Sequence, residues 1–421
     1  MRQPSTHDAI VIGGGPAGTS AALALARRGW AVAIVEKSAF PRRKVCGEYI
    51  SASNLALLDR LDIGGAWRAE AGPEIRRVGF FSGDTSIEAP MPGARSGPAA
   101  RDGFGRALGR DILDTLLLDA ARSAGTQIFQ PCRAVAIERD GDRHAVRIEA
   151  TGGKSPDEAT ILRAPVIVAA HGSWEPGPLP SQLEKKSRAS DLLGFKAHFT
   201  GSSLAPDLMP LLMFPGGYGG MVVADHGRMS ISCCIRRDVL TRLRDSLVRE
   251  RGGHVSAAEA VEHHIMATCR GARQALEQAR LDGPWLAAGP IRPGIRAGYR
   301  QDIFRVGNAA GESHPIIAEG ISMALQSGWL LALELGAAAS GQAEREAAGK
   351  RYEAAWRGLF STRVLAAEAI ARMALGRGGA ALTEAVVRYF PQTLTLGARI
   401  SGKTKPVPGL ADARPRPSPL S

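Results

Sequence analysis

Unbroken apolar runs at residues 9–12, 31–35 and 165–170 read as strands buried on both faces, the mark of a parallel sheet. The segment Ile303-Phe304-Arg305-Val306, interrupted by one arginine, returns to that sheet late in the chain. Between the first two runs lies an alanine-rich helical stretch, residues 17–28. Residues 111–124 are apolar at helical spacing until Gly125 stops them. Residues 134–138 and 145–149 alternate instead, split by Asp140-Gly141-Asp142, and predict a small antiparallel ribbon. Residues 76–89 read as short strands followed by a Pro/Gly-rich link at 90–97, and the strand-like stretch 195–236 predicts a second sheet. Helices are expected at 53–61, at 321–339 and from Glu344 onward, with the proline-rich, basic residues 401–421 as a mobile tail.

This order predicts an α/β architecture: a Rossmann-like nucleotide-binding domain with a parallel sheet, an antiparallel substrate-binding sheet and a helical C-terminal region. The nucleotide-binding domain is expected to be discontinuous, from residues 1–80, 100–175 and 290–340, with 81–99 and 176–289 forming the substrate-binding domain and 341–400 the helical region.

The first strand-to-helix turn reads Gly13-Gly14-Gly15-Pro16-Ala17-Gly18. Backbone without side chains can approach a pyrophosphate there, whose charge then faces the open N–H groups and positive dipole of a helix N-terminus. The following strand ends in Glu36, a carboxylate that can accept both ribose hydroxyls of an adenosine but would repel a 2′-phosphate. A second glycine-bearing segment, Val306-Gly307-Asn308-Ala309-Ala310-Gly311, runs into Pro315-Ile316-Ile317-Ala318-Glu319-Gly320-Ile321. The two segments fit halves of one dinucleotide site.

Composition narrows the class. The chain has 421 residues, is 44% hydrophobic and carries a net charge of +12, yet its arginines are dispersed, only 5% of residues are aromatic, and no nucleic-acid module is present. A basic surface of this kind suits an anionic cofactor, an acidic carrier protein or the face of an anionic membrane better than a nucleic acid. The cysteines, Cys46, Cys132, Cys233, Cys234 and Cys269, are odd in number and spaced for neither a disulfide framework nor a metal site, which predicts a reducing, cytoplasmic setting and no metal. Cys233 and Cys234 should face opposite sides of a strand.

Four landmarks resemble the flavoprotein family that contains aromatic hydroxylases, geranylgeranyl reductases and flavin-dependent halogenases, over the chain up to about residue 340. They are the first glycine turn with Glu36; Pro41-Arg42-Arg43-Lys44-Val45-Cys46-Gly47-Glu48, similar to a segment of the reductase branch; Arg110-Asp111-Ile112-Leu113-Asp114; and the downstream glycine segment. The resemblance implies FAD as cofactor, with transient use of NAD(P)H. Cofactor contacts are implied at Gly13, Gly14, Gly15, Pro16, Ala17, Gly18, Glu36, Lys37, Arg43, Lys44, Arg110, Val135, Asn308, Pro315, Gly320 and Ile321. Cys46 and Tyr218 are the candidate catalytic residues.

Departures from the family pattern matter as well. Asn308 stands where the family has aspartate, and His171 replaces the aspartate of a segment that helps bind pyrophosphate and affects NAD(P)H use. Gly220 takes the place of a tryptophan beside Tyr218 in the reductase-like substrate strand, which opens space for a differently shaped substrate. The halogenase motif of two tryptophans is missing, and no lysine lies between Lys44 and Lys154. Three readings stay open: a monooxygenase of a hydrophobic small molecule such as an aromatic or polyketide-type metabolite, a geranylgeranyl-reductase-like enzyme reducing a C=C bond of a lipid-like substrate, and a flavin-binding protein without turnover.

Overall fold

The computed structural model describes residues 7–95, 102–152, 159–174, 176–184, 186–336, 341–376 and 378–410. Its first layer is a six-stranded sheet in the order Tyr299–Arg300, Ile303–Arg305, Val166–Ala169, Ala9–Ile12, Val32–Val35, Gln127–Phe129. All neighbours are parallel except the first pair. The four-residue strands at its centre are buried on both faces, which is why they read as unbroken apolar runs. One face is covered by the helices Pro16–Ala26, Arg110–Ser123 and Gly320–Gly336, whose apolar side chains merge with the sheet into the largest core. The antiparallel strands Cys132–Asp140, Arg143–Ala150 and Thr160–Ala164 cover the other.

The second layer is an eight-stranded sheet built around Leu192–Thr200, Met229–Arg236, Gly217–Val223, Leu208–Phe214, Arg77–Ser82 and Thr85–Pro90. It is antiparallel apart from the pairing of Leu208–Phe214 with Arg77–Ser82. The sheet begins earlier in the chain than the expected boundary after residue 80, because Val78 and its neighbours pair with Leu208–Phe214 on one side and Thr85–Pro90 on the other. It also ends later: Leu286–Ile291 pairs with Leu192–Thr200, so the return to the first sheet starts after Ile291 and not at 290. Three helices without a sequence expectation, Arg237–Arg251, Ala257–Thr268 and Arg270–Leu276, pack behind this sheet and bury its outer face. Cys233 belongs to that outer core and Cys234 to the inner one, in line with strand alternation.

The helices Gln342–Leu375, Gly379–Tyr389 and Gln392–Ile400 close the molecule over the space between the sheets. The tail beyond them needs correction. Ser401 and Val407 are buried, the Trp329 indole donates to the Pro408 carbonyl, and Lys403 donates to the Ile317 carbonyl, so residues 401–410 are packed structure. Residues 411–421 of the expected tail lie outside the described residues.

Candidate functional site

A cavity of about 810 Å³ runs between the two sheets, from Glu36 to the C-terminal helices. Its polar end is built by the first turn. Gly13 has φ +114°, and a Cβ there would lie 2.5 Å from the Ala170 carbonyl oxygen, so only glycine lets these two strand ends approach. Glu36, buried, accepts the Gly14 N–H at 2.8 Å and the Ser38 N–H at 2.9 Å, one on each oxygen, which fixes the carboxylate at the cavity wall. No side chain caps the N-terminus of the helix Pro16–Ala26. Arg110 faces it, held by two 2.7 Å hydrogen bonds to Asp114, while Arg42 lies 3.6 Å from Glu36 and 3.8 Å from Asp114.

Two observations fit this end to an anionic dinucleotide. The Nε of Arg42 is buried with no hydrogen-bond partner. Lys44, desolvated and repelled by Arg110 and Arg42, has its pKa pushed down to about 8. A pyrophosphate would relieve both conditions by supplying acceptors and negative charge.

On the far side of the turn, Asn308 donates through Nδ2 to Glu312 at 3.2 Å, which leaves its amide oxygen and a second N–H for a ligand. Glu312 is itself fixed by Ser173 at 2.7 Å and by the Trp174 indole at 2.9 Å. At the start of the helix Gly320–Gly336, a Cβ on Gly320 would meet nothing within 4 Å, leaving the cavity open against the helix N-terminus. Just before it, the buried Glu319 accepts from Ser51 at 3.1 Å and from Lys403 at 2.9 Å. His171 lines the cavity with its ring nitrogens committed to the Gly172 carbonyl and Ser181, and burial pushes its pKa down to about 4. Both ring nitrogens are thus engaged by the protein's own groups.

Beyond the polar end the walls become apolar. Val78, Phe80, Met209, Leu211, Met221 and Val222 of the second sheet face Ile370, Met373, Leu382, Val387 and Leu394 of the C-terminal helices. The main polar feature among them is Tyr218, whose hydroxyl lies 2.5 Å from Nδ1 of His314. Burial raises the Tyr218 pKa and lowers that of His314 to about 4, so both are neutral. Gly219 and Gly220 form a floor without side chains next to Tyr218.

The strand-to-helix segment after Glu36 joins the two ends. Cys46 lines the cavity, and its sulfur accepts the Glu48 N–H at 3.5 Å. Glu48 is fully buried: it accepts the Arg110 N–H at 3.0 Å, contacts His198 Nε2 at 2.8 Å and pairs with the buried Lys196 ammonium. Burial by itself would raise its pKa, but His198 and Lys196 outweigh that and hold it at about 2. This cluster ties the helix Arg110–Ser123, whose Arg110 lines the cavity, to the second sheet.

The cavity thus gathers Gly13, Gly15, Pro16, Ala17, Glu36, Lys37, Lys44, Cys46, Arg110, Tyr218, Asn308, Pro315, Gly320 and Ile321. Four expected contacts lie off its wall. Gly14 acts from behind through its hydrogen bond to Glu36, and Gly18 serves helix-to-strand packing, since a Cβ there would be 2.0 Å from the Gly13 carbonyl oxygen. Arg43 turns away to Asp282 at 2.9 Å, leaving Arg42 on the wall. Val135 sits at a bulge in its strand, and Ala134 lines the cavity in its place. Lys196 and His198 were missed, although two polar residues at strand spacing within Phe195-Lys196-Ala197-His198-Phe199 are the signal of a shared buried partner. Lys403 was hidden by the reading of its segment as a tail.

Among known proteins, the menaquinone reductase of Mycobacterium tuberculosis is 31% identical over 180 residues, 42% of this chain and 40% of that protein, so the chain matches less than half of that relative's length. The digeranylgeranylglycerophospholipid reductase of Methanocaldococcus jannaschii is 25% identical over 83% of this chain and 82% of its own. In fold, a flavin-dependent brominase superposes with a TM-score of 0.71 at 16% identity, covering 95% of this chain and 94% of its own. A geranylgeranyl bacteriochlorophyll reductase-like protein of Thermoplasma acidophilum does so with a TM-score of 0.63 at 18% identity, covering 95% and 92%. The "FAD binding domain" family model matches residues 6–359, and the chain belongs to that family.

Proposed function

We propose that this enzyme oxygenates a hydrophobic small molecule as an FAD-dependent monooxygenase. The observation that supports the reading is the continuity of the cavity: a cationic, glycine-lined end and an apolar end share one space, so a substrate resting in the second would have access to a cofactor held in the first. Bound FAD supplies the two-electron chemistry. Arg42, Lys44, Arg110 and the N-terminus of Pro16–Ala26 would hold its pyrophosphate, Glu36 its adenosine ribose and the Asn308 amide oxygen a sugar hydroxyl. The N–H groups at Gly320 and Ile321 would face the edge of the flavin ring. The apolar walls would exclude water from the reacting atoms, and the neutral Tyr218–His314 pair would orient a polar group of the substrate.

A second reading, reduction of a C=C bond in a lipid-like substrate, is favoured by the alignment along most of the M. jannaschii reductase and by Cys46 and Tyr218 on the cavity wall. Oxygen separates the two. The pre-reduced enzyme is mixed with candidate substrates with and without O2. Oxygenation predicts product only with O2; a reduced product formed anaerobically replaces the first reading with the second.

A further inference from the structure

Twelve large apolar side chains stand exposed among the described residues, and nine of them lie between Leu365 and Ile400. Their arrangement is regular. Leu382, Val386 and Tyr389 recur at the spacing of one helix stripe on Gly379–Tyr389, and Leu396 and Ile400 do the same on Gln392–Ile400. Neighbouring positions on these helices, Thr383, Val387, Leu394 and Ala398, line the cavity. The pair of helices is therefore apolar toward the cavity and apolar toward solvent. Met373, Leu382 and Val386 are both exposed and on the cavity wall, so the cavity reaches the surface within this patch. Contiguous exposed apolar surface of this sort marks an interaction site.

Charge identifies the occupant. Exposed Arg372, Arg388 and Arg399 lie on the same helices as these apolar side chains, and exposed Lys405 follows them in the chain. Arg372 and Arg388 pair with Glu368 and Glu384, while Arg399 and Lys405 form no ion pair among the described residues. The chain as a whole carries +12. A second copy seated here would bring two basic surfaces together and cover the cavity mouth. An anionic bilayer would instead attract the basic side chains, bury the apolar stripe at the boundary of headgroups and acyl chains, and leave the mouth facing an apolar phase.

We propose that the outer face of Gly379–Tyr389 and Gln392–Ile400 seats on an anionic phospholipid surface, from which the apolar end of the cavity is loaded. The loading rests on the hydrophobic substrate proposed above; the docking does not. The test is co-sedimentation of the FAD-loaded protein with vesicles of phosphatidylglycerol and phosphatidylcholine, against vesicles of phosphatidylcholine alone. Binding to the anionic vesicles, weakened by salt, is expected. Combined Tyr389→Glu and Leu396→Glu should weaken it about tenfold or more, with unchanged flavin content and circular dichroism. Arg399→Glu with Lys405→Glu, on exposed side chains that make no ion pair, gives an independent route to the same loss. Absence of binding by the wild type, equal binding by both variants, or a dimer in sizing experiments that the apolar variant dissociates would each overturn the proposal. Because sedimentation needs no turnover, an absence of oxygenation leaves this result standing.

Discussion

The two ends of the cavity follow opposite rules. At the adenosine end, position is set by backbone and fixed charge: Glu36 is held by two N–H groups and Arg110 by both oxygens of Asp114. At the apolar end the walls are mainly aliphatic and aromatic, and Tyr218 on that wall, like its partner His314 behind it, is neutral. Rigid polar geometry selects one ligand, whereas an apolar wall selects size and shape and tolerates exchange of side chains. The difference predicts that substitutions at the first end act on cofactor retention and folding, and that those at the second leave FAD retention unchanged.

The largest effect is expected from Gly18→Val. Its Cβ would meet the Gly13 carbonyl oxygen at 2.0 Å, so the turn cannot close, and the protein should purify without flavin absorbance. Glu48→Ala comes next: it leaves Lys196 and His198 buried without their carboxylate, and urea unfolding should register a loss of about 3–5 kcal/mol, with Glu48→Gln losing less. The native pKa of Glu48, about 2, lies below its ordinary 4.5, so its contribution is complete above pH 4.5 and is lost as pH falls toward 2. Lys44→Met should weaken FAD binding about tenfold at neutral pH. In the wild-type apoprotein Lys44 loses its proton near pH 8, and a bound pyrophosphate would restore it; FAD affinity should therefore fall above pH 8 in the wild type and fall less in the variant, as a fluorescence titration would show. The smallest effect is assigned to Tyr218→Phe, which removes one hydrogen bond, about 1 kcal/mol in unfolding, and leaves FAD affinity unchanged. Loss of FAD from that variant would erase the contrast between the two ends.

The sequence made the first end legible and the second only in part, for a physical reason. A dinucleotide turn is local: Gly13 to Gly18 and Glu36 lie within one strand–helix–strand unit, and their spacing carries the geometry. The substrate end is assembled from distant segments, and no periodicity announces that Phe80, Leu211 and Leu394 will share a wall. Arg43 was expected on the cavity from the resemblance of its segment to the reductase branch, but the fold pairs it with Asp282, more than two hundred positions downstream. Lys403 shows the same limit, since a basic, proline-bearing terminus gives no sign that a buried Glu319 awaits its ammonium.

The contrast between the ends is tested most directly by titrating the FAD-loaded protein with an aromatic probe, 1-naphthol, and following the flavin absorption bands in the wild type and in Gly220→Trp. Gly220 lies on the apolar wall, and an indole there would fill the space beside Tyr218 without touching the adenosine end. A saturable shift of the flavin bands is predicted for the wild type, lost in the variant at equal flavin content. No shift in the wild type, or the same shift in both proteins, would contradict a single cavity that joins an apolar binding end to the flavin.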